Sequence, residues 1–213
     1  RRFATHVSHE FKTPLTSMQG ALELLRDHLD SMTVERSGHF INNLLADTQR
    51  LKLLVNRLLE LARADALEPS KQTSTLTEML KAVQNRYQER GLTLQIPQGL
   101  PEYRLAIAPD ALESIFSNLF DNSVQHGATS TALTAQVRPQ VLEVQVQDNG
   151  EGISPANRDK IFTPFFTTKR SNGGTGLGLE IIASLLKAYG GSIRLGESAA
   201  GAAFVLELPL DKT

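Results

Sequence analysis

Ser8-His9-Glu10-Phe11-Lys12-Thr13-Pro14-Leu15 sets a histidine, a carboxylate, a lysine and a proline inside a helical apolar pattern. Around it Ala4, Val7, Phe11, Pro14, Met18, Ala21 and Leu25 recur at alternating spacings of three and four, and Leu15, Leu22 and Leu29 widen the stripe. The alternation returns as Ile41, Leu44, Thr48, Leu51, Val55, Leu58 and Ala62, after a polar stretch from Asp27 to Arg36 that reads as a turn. Sustained spacing of this kind marks a coiled-coil or bundle seam. Residues 1–66 are therefore expected to form an all-α helical hairpin. Stripes this wide call for a second copy, which predicts a four-helix bundle built by a homodimer.

His9 lies two residues from both Val7 and Phe11. At about 100° per residue it faces away from the seam, so it is an exposed histidine and not a core one. Its neighbours separate it from an ordinary surface residue of a coiled coil. Thr13 is one turn further on the same face. Glu10 is adjacent, and a carboxylate that accepts the Nδ1 proton leaves Nε2 free to act as a nucleophile. Pro14 has no N–H, so the carbonyl of Glu10 loses its helical partner and a bend is expected just below the histidine. His6 has no following acid and is the weaker candidate.

The bulk composition narrows the function classes. The 213 residues have room for one large domain or two modest ones. Lys and Arg number 22 against 23 Asp and Glu, a formal charge of −1 that argues against a nucleic-acid or membrane-surface binder. Cysteine is absent, which excludes disulfides and thiolate metal sites, and the histidines at 6, 9, 28, 39 and 126 lack zinc-site spacing. No apolar run approaches the roughly 18–20 residues that span a bilayer. Because Arg1-Arg2-Phe3 is already in helical register, membrane or sensory segments are expected upstream, and any membrane association runs through them.

The helical pattern fails at Glu68-Pro69-Ser70-Lys71-Gln72-Thr73-Ser74-Thr75, so residues 67–75 read as a linker and 76–213 as a second domain. There Leu76 to Arg90 is helical, with strands at 92–96 and 103–107 and a helix from Pro109. Strands at 131–137 and 141–148, a helix at 176–189 and closing strands at 191–196 and 202–208 complete the order. Hairpin-like strands with few crossovers predict an α+β two-layer sandwich on a mostly antiparallel sheet.

Three stretches of this domain carry chemistry. Asn118 and Asn122 stand four apart on one helix face, and a carboxamide oxygen suits Mg²⁺ shared with substrate phosphates. Leu142, Val144, Val146 and Asp148 share one strand face, so a carboxylate ends a core-directed row, where an exocyclic amine would partner it. Gly150 and Gly152 then permit a turn and close approach of a ligand. Gly173-Gly174-Thr175-Gly176-Leu177-Gly178 opens a helix and presents N–H groups to anions, without the Walker A or Rossmann pattern. Between them Phe162, Phe165 and Phe166 fit a lid over a nucleotide, with Lys169 to meet phosphate charge. Each stretch also has a plain reading, as a polar shoulder, a turn acid or a hydrophobic loop anchor.

Taken in order, these motifs resemble those of the two-component sensor histidine kinases over virtually the whole chain. Ser8 to Leu15 resembles the H-box, Asn118 to Asn122 the N-box, Asp148 to Gly152 the G1 box, Phe162 to Phe166 the F-box, and Gly174 to Gly178 the G2 box. The resemblance implies a dimerisation and histidine-phosphotransfer hairpin, then a Bergerat-type ATP-binding domain, with ATP and Mg²⁺ as cofactors. It implies that His9 takes the γ-phosphoryl group with Glu10 assisting, that Asn122 ligates Mg²⁺ with Asn118 in support, and that Asp148 receives the adenine amine. Gly174, Thr175, Gly176, Leu177 and Gly178 would cradle the phosphates. The partner implied is a response regulator whose aspartate takes the phosphoryl group. Glu10-Phe11-Lys12-Thr13 also resembles the family's phosphatase signature, with Thr13 orienting a water. The resemblance further implies a cytoplasmic domain of a protein anchored in the bacterial inner membrane. One departure is Gln125, where many members carry Lys or Arg, which shifts phosphate neutralisation toward Lys169 or Arg170. The alternatives are a degenerate ATP-binding scaffold that regulates a partner without phosphorylating itself, and a Bergerat ATPase of the chaperone or topoisomerase type.

Overall fold

A computed structural model describes residues 2–100, 102–170 and 173–212, apart from the side chains of Arg2 and Leu29. The chain divides into two compact units, Arg1–Leu59 and Glu60–Thr213.

The first unit is the expected helical hairpin. Helix α1 runs Arg2–His28 with Pro14 inside it, a single 3-10 turn covers Leu29–Ser31, and α2 runs Val34–Asp65. Thr33 helps start α2, since its Oγ1 accepts the Arg36 amide at 3.3 Å. Glu10 on α1 meets Arg50 on α2 across the hairpin at 3.5 Å. Much of the apolar stripe stays in solvent. Leu15, Leu22, Leu45 and Leu59 are each more than half exposed, whereas Pro14 and Leu54 are buried. Among the described residues no helix is long and apolar enough to cross a membrane.

The second unit is a two-layer sandwich. Strand β1 (Ser74–Thr75) pairs with β3 (Arg104–Leu105) in a small antiparallel ribbon. The main sheet has the order β2-β4-β5-β7-β6, from Thr93–Gln95, Ser130–Arg138, Val141–Asp148, Ala203–Pro209 and Ser192–Leu195 respectively. The β2–β4 pair is parallel and the other three pairs are antiparallel, so the sheet is mixed. Helices α3 (Leu76–Glu89), α4 (Pro109–Gln125) and α5 (Gly178–Ala188) supply the apolar stripes that cover one sheet face.

The core follows from the strand period. Leu142, Val144 and Val146 are buried and stand opposite Leu208, Leu206 and Phe204. Ile115, Phe116, Leu119 and Phe120 of α4 and Ile181, Ile182 and Leu186 of α5 are buried with them. The last two residues of the stretch read as a linker do structural work. Ser74 and Thr75 form β1, and Thr75 caps α3 by accepting the Glu78 amide at 3.2 Å.

Candidate active site

The residues singled out in the sequence fall into two groups, one in each unit. In the first, His9 is exposed on α1 and Glu10 beside it is half-buried. Glu10 Oε2 lies 3.5 Å from Arg50 Nη2, so a guanidinium on α2 shares that carboxylate. Thr13 Oγ1 donates back to the His9 carbonyl at 3.1 Å, the usual resting place of a threonine hydroxyl in a helix. His9, Glu10 and Thr13 are thus gathered within one turn of helix.

In the second unit α4 carries both carboxamides. Asn118 is 2% exposed; its Nδ2 donates to the Ser114 carbonyl at 2.9 Å and to Glu60 Oε1 at 3.1 Å. Asn122 is half-buried. The glycine segment ends against this pair, because a methyl group at Gly178 would stand 3.3 Å from Asn122 Oδ1 and 3.4 Å from Asn118 Oδ1. Two carboxamide oxygens therefore face the N-terminus of α5, where backbone N–H groups gather. Among the described residues no cluster of three or more His, Asp or Glu is assembled to hold a metal ion. The donor on offer is the Asn122 oxygen, a hard donor that fits Mg²⁺ shared with phosphate oxygens.

Asp148 closes β5, 8% exposed, at the edge of the apolar core. Its Oδ1 accepts two backbone amides, Gly150 and Ala202, both at 2.9 Å. Its Oδ2 accepts from Ser123 Oγ at 3.1 Å. A buried carboxylate held by three donors stays oriented and still has lone-pair capacity for a ligand's amine. Gly152, at φ +73°, packs on the Gly201 backbone, where an added Cβ would come within 2.9 Å of the Gly201 carbonyl oxygen. The turn after Asp148 and the β6–β7 loop thereby close on the acid from two sides.

The segment between β5 and α5 is stitched to the glycine run. Phe165 donates its amide to the Gly176 carbonyl and Gly174 donates to the Lys169 carbonyl, both at 2.9 Å. Phe165 is 4% exposed and holds φ +66°, an uncommon conformation for a bulky residue. It is the buried anchor of this segment, while Phe162 is half-buried. Thr175 accepts the Leu177 amide at 3.4 Å, and Leu177 is fully buried. Lys169 Nζ contacts Glu151 Oε1 at 2.6 Å, which holds the Glu151 carboxyl below its ordinary value. His126 Nδ1 is 3.8 Å from the other Glu151 oxygen, yet burial and the Lys169 charge keep the imidazole's pKa below its usual range.

Sequence reasoning missed Ser123, Glu151 and Gly201, and it did not single out Phe165 among the aromatics of its segment. Ser123 adjoins Asn122, and only the fold reveals that its hydroxyl reaches a strand. Gly201 lies far along the chain in an Ala-rich loop whose closeness to Asp148 no local pattern announces.

Comparison with known proteins covers both groups. Residues 1–67 match the family described as the His Kinase A (phospho-acceptor) domain, and residues 107–212 match the histidine kinase-, DNA gyrase B- and HSP90-like ATPases. The alginate biosynthesis sensor protein KinB of Pseudomonas aeruginosa is 33% identical over 98% of this chain and 36% of its own length. Full-length ShkA, solved in complex with AMPPNP, is 26% identical with a TM-score of 0.60, over 100% of this chain and 46% of that one. The histidine kinase ThkA, solved with the response regulator TrrA, shares the fold at a TM-score of 0.72 and 21% identity, over 99% of this chain and 61% of that one. The chain spans less than half the length of KinB and of ShkA.

Proposed function

The chain belongs to the sensor histidine kinases of two-component systems, and on that premise we propose that it phosphorylates itself on His9 at the expense of ATP. In this reading residues 1–66 are the dimerisation and phosphotransfer domain, 67–75 a linker and 76–213 the catalytic domain. The observation that carries it is the meeting of Gly178 with Asn118 and Asn122 in a unit where Asp148 waits buried at the end of β5.

Each residue has a defined task. Asp148 accepts the adenine amine, with Gly150 and Gly152 shaping the turn beneath it. Gly174, Thr175, Gly176, Leu177 and Gly178 line the phosphates, Phe162 borders the lid and Lys169 meets phosphate charge. Asn122 holds Mg²⁺ through its carboxamide oxygen with Asn118 beside it, and the ion when bound neutralises charge on the transferring group. Glu10, held by Arg50, takes the Nδ1 proton of His9 into a hydrogen bond and leaves Nε2 to attack. Nε2 forms a bond to the γ-phosphorus as the bond to the bridging oxygen of ADP breaks. Transfer of this kind rests on positioning and charge more than on covalent assistance.

The phosphoryl group then passes to an aspartate of a response regulator docked on the hairpin. Thr13 supports a phosphatase reaction on the same partner by orienting a water. The exposed leucines of α1 and α2 support a homodimer through a four-helix bundle. The parent protein sits in the bacterial inner membrane with this portion in the cytoplasm, as the likeness to sensor proteins suggests. A second reading, an ATP-binding scaffold that regulates a partner without phosphorylating itself, draws on the neutral Gln125, three residues after Asn122 on α4.

One assay tests the main reading. Incubation with γ-labelled ATP and Mg²⁺ should give acid-labile, base-stable label on the wild type and none on His9→Gln. An unlabelled wild type, or undiminished label on His9→Gln, would overturn it.

A further inference from the structure

The two oxygens of Asp148 are held differently. Oδ1 is tied to two backbone amides, Gly150 and Ala202, at the ends of two loops. Oδ2 is held by a single side chain, Ser123 of α4, 4% exposed. The Ser123 oxygen also stands 3.2 Å from the Leu119 carbonyl. A hydroxyl has one proton, so it serves one acceptor fully at a time. The carboxylate is the stronger acceptor, since charge-assisted O–H···O⁻ bonds are about twice as strong as neutral ones. With the proton on the Leu119 carbonyl instead, two oxygen lone pairs would oppose each other at 3.1 Å. The proton therefore belongs between Ser123 and Asp148.

Thr131 supplies an internal contrast. It stands directly opposite Asp148 on β4 and is fully buried, yet its hydroxyl has no hydrogen-bond partner. The Asn149 amide pairs with the Ser130 carbonyl and the Asp148 amide with Ala202, so Thr131 and Asp148 form the closer, non-hydrogen-bonded kind of cross-strand pair. A hydroxyl that near the acid without bonding to it leaves Ser123 as the side chain that orients Oδ2.

We propose that Ser123 is a positioning residue for purine recognition: its bond to Oδ2 fixes the carboxylate plane so that the remaining lone pair of Oδ2 meets the exocyclic amine of adenine. This rests on the reading of Asp148 as the acceptor of that amine. The bond acts through Asp148 alone, so its removal affects nucleotides that carry the amine and spares those that lack it.

The experiment is calorimetric titration of the full chain with Mg-ATP and with purine riboside triphosphate, which has no amino group. Ser123→Ala should weaken ATP binding by about tenfold and the amine-free nucleotide by less than about twofold. Ser123→Thr should restore the preference. Ser123→Cys, similar in size but a weak donor, should show the same selective loss and serves if the alanine variant does not fold. Thr131→Val should leave the ratio of the two affinities unchanged. An equal loss on both nucleotides, or no loss on either, overturns the role of Ser123. Asp148→Asn separates the two levels of the argument. If that variant binds ATP as the wild type does, the reading of Asp148 itself fails; if it loses ATP while Ser123→Ala does not, only the present inference falls.

Discussion

Lys169 Nζ lies 2.6 Å from Glu151 Oε1, so the cation of the segment between β5 and α5 is held by the turn that follows Asp148. Lys169 is 21% exposed at its side chain and Glu151 is 60%, which makes the pair a surface tether that solvent weakens. For Lys169 to reach a phosphate it must exchange one carboxylate for another anion of higher charge. In the proposed role that exchange would favour the ligand, because a triphosphate offers more charge and more acceptors than one carboxylate.

Lys169→Ala should therefore lower the rate of autophosphorylation by about tenfold or more, in keeping with the loss of one charged contact. Gln125→Ala should change it by less than about threefold, since a neutral amide offsets no phosphate charge. Initial rates with γ-labelled ATP decide the matter, and the reverse ranking would refute the assignment of Lys169.

Gly176 tolerates no side chain. Its φ is +68°, and a Cβ there would run into the Phe165 backbone, which donates to the Gly176 carbonyl. Gly176→Ala should displace the lid segment and weaken ATP binding by at least about tenfold, with several kcal/mol at most lost from the fold. Fluorescent-nucleotide titration beside thermal unfolding checks both halves. Unchanged affinity would show that the Phe165–Gly176 contact does not shape the site.

The imidazole of His126 is held below its ordinary value by burial first and by Lys169 next. A base with a depressed folded pKa is protonated more readily in the unfolded chain, so stability rises with pH across that range. As pH falls from about 7.5 to about 5.5, through the ordinary histidine range, the second unit should lose stability. Glu151, whose folded pKa is lowered by Lys169, contributes in the same direction but only as pH drops below the ordinary glutamate range. Urea midpoints at several pH values should show the upper loss flattened in His126→Asn. An equal slope in that variant would assign the loss to another group.

Thr13 rests with its hydroxyl on the His9 carbonyl, so its removal leaves the α1 backbone bonds intact. Thr13→Ala should keep autophosphorylation within about twofold and slow dephosphorylation of a phosphorylated regulator by at least about tenfold, the range in which a positioned water contributes. Equal loss of both activities would make Thr13 a structural residue only.

The order of elements was legible because period and punctuation repeat along the chain. The 3-4 spacing gave the hairpin, and the alternation from Leu142 to Asp148 gave β5. The close contacts were not legible, because they join residues remote in sequence. Asp148 meets Ala202 across 54 positions and Ser123 across 25. The placement of Glu10 shows the same limit. From sequence its one evident partner was His9, whereas the fold adds Arg50, 40 residues away. The aromatic segment before α5 shows a related limit. Phe162 and Phe165 are equivalent as letters, and only the positive φ and the bond to Gly176 single out Phe165 as the anchor.

The double hold on Asp148 Oδ1 has a consequence for how such chains lose function. An acid that fastens two loops serves the fold as well as the proposed nucleotide contact, so truncating it would cost both. His9 has the opposite standing: it is exposed on its helix, and the fold would survive its replacement. A change at His9 therefore tests the proposed phosphate relay with the fold left standing.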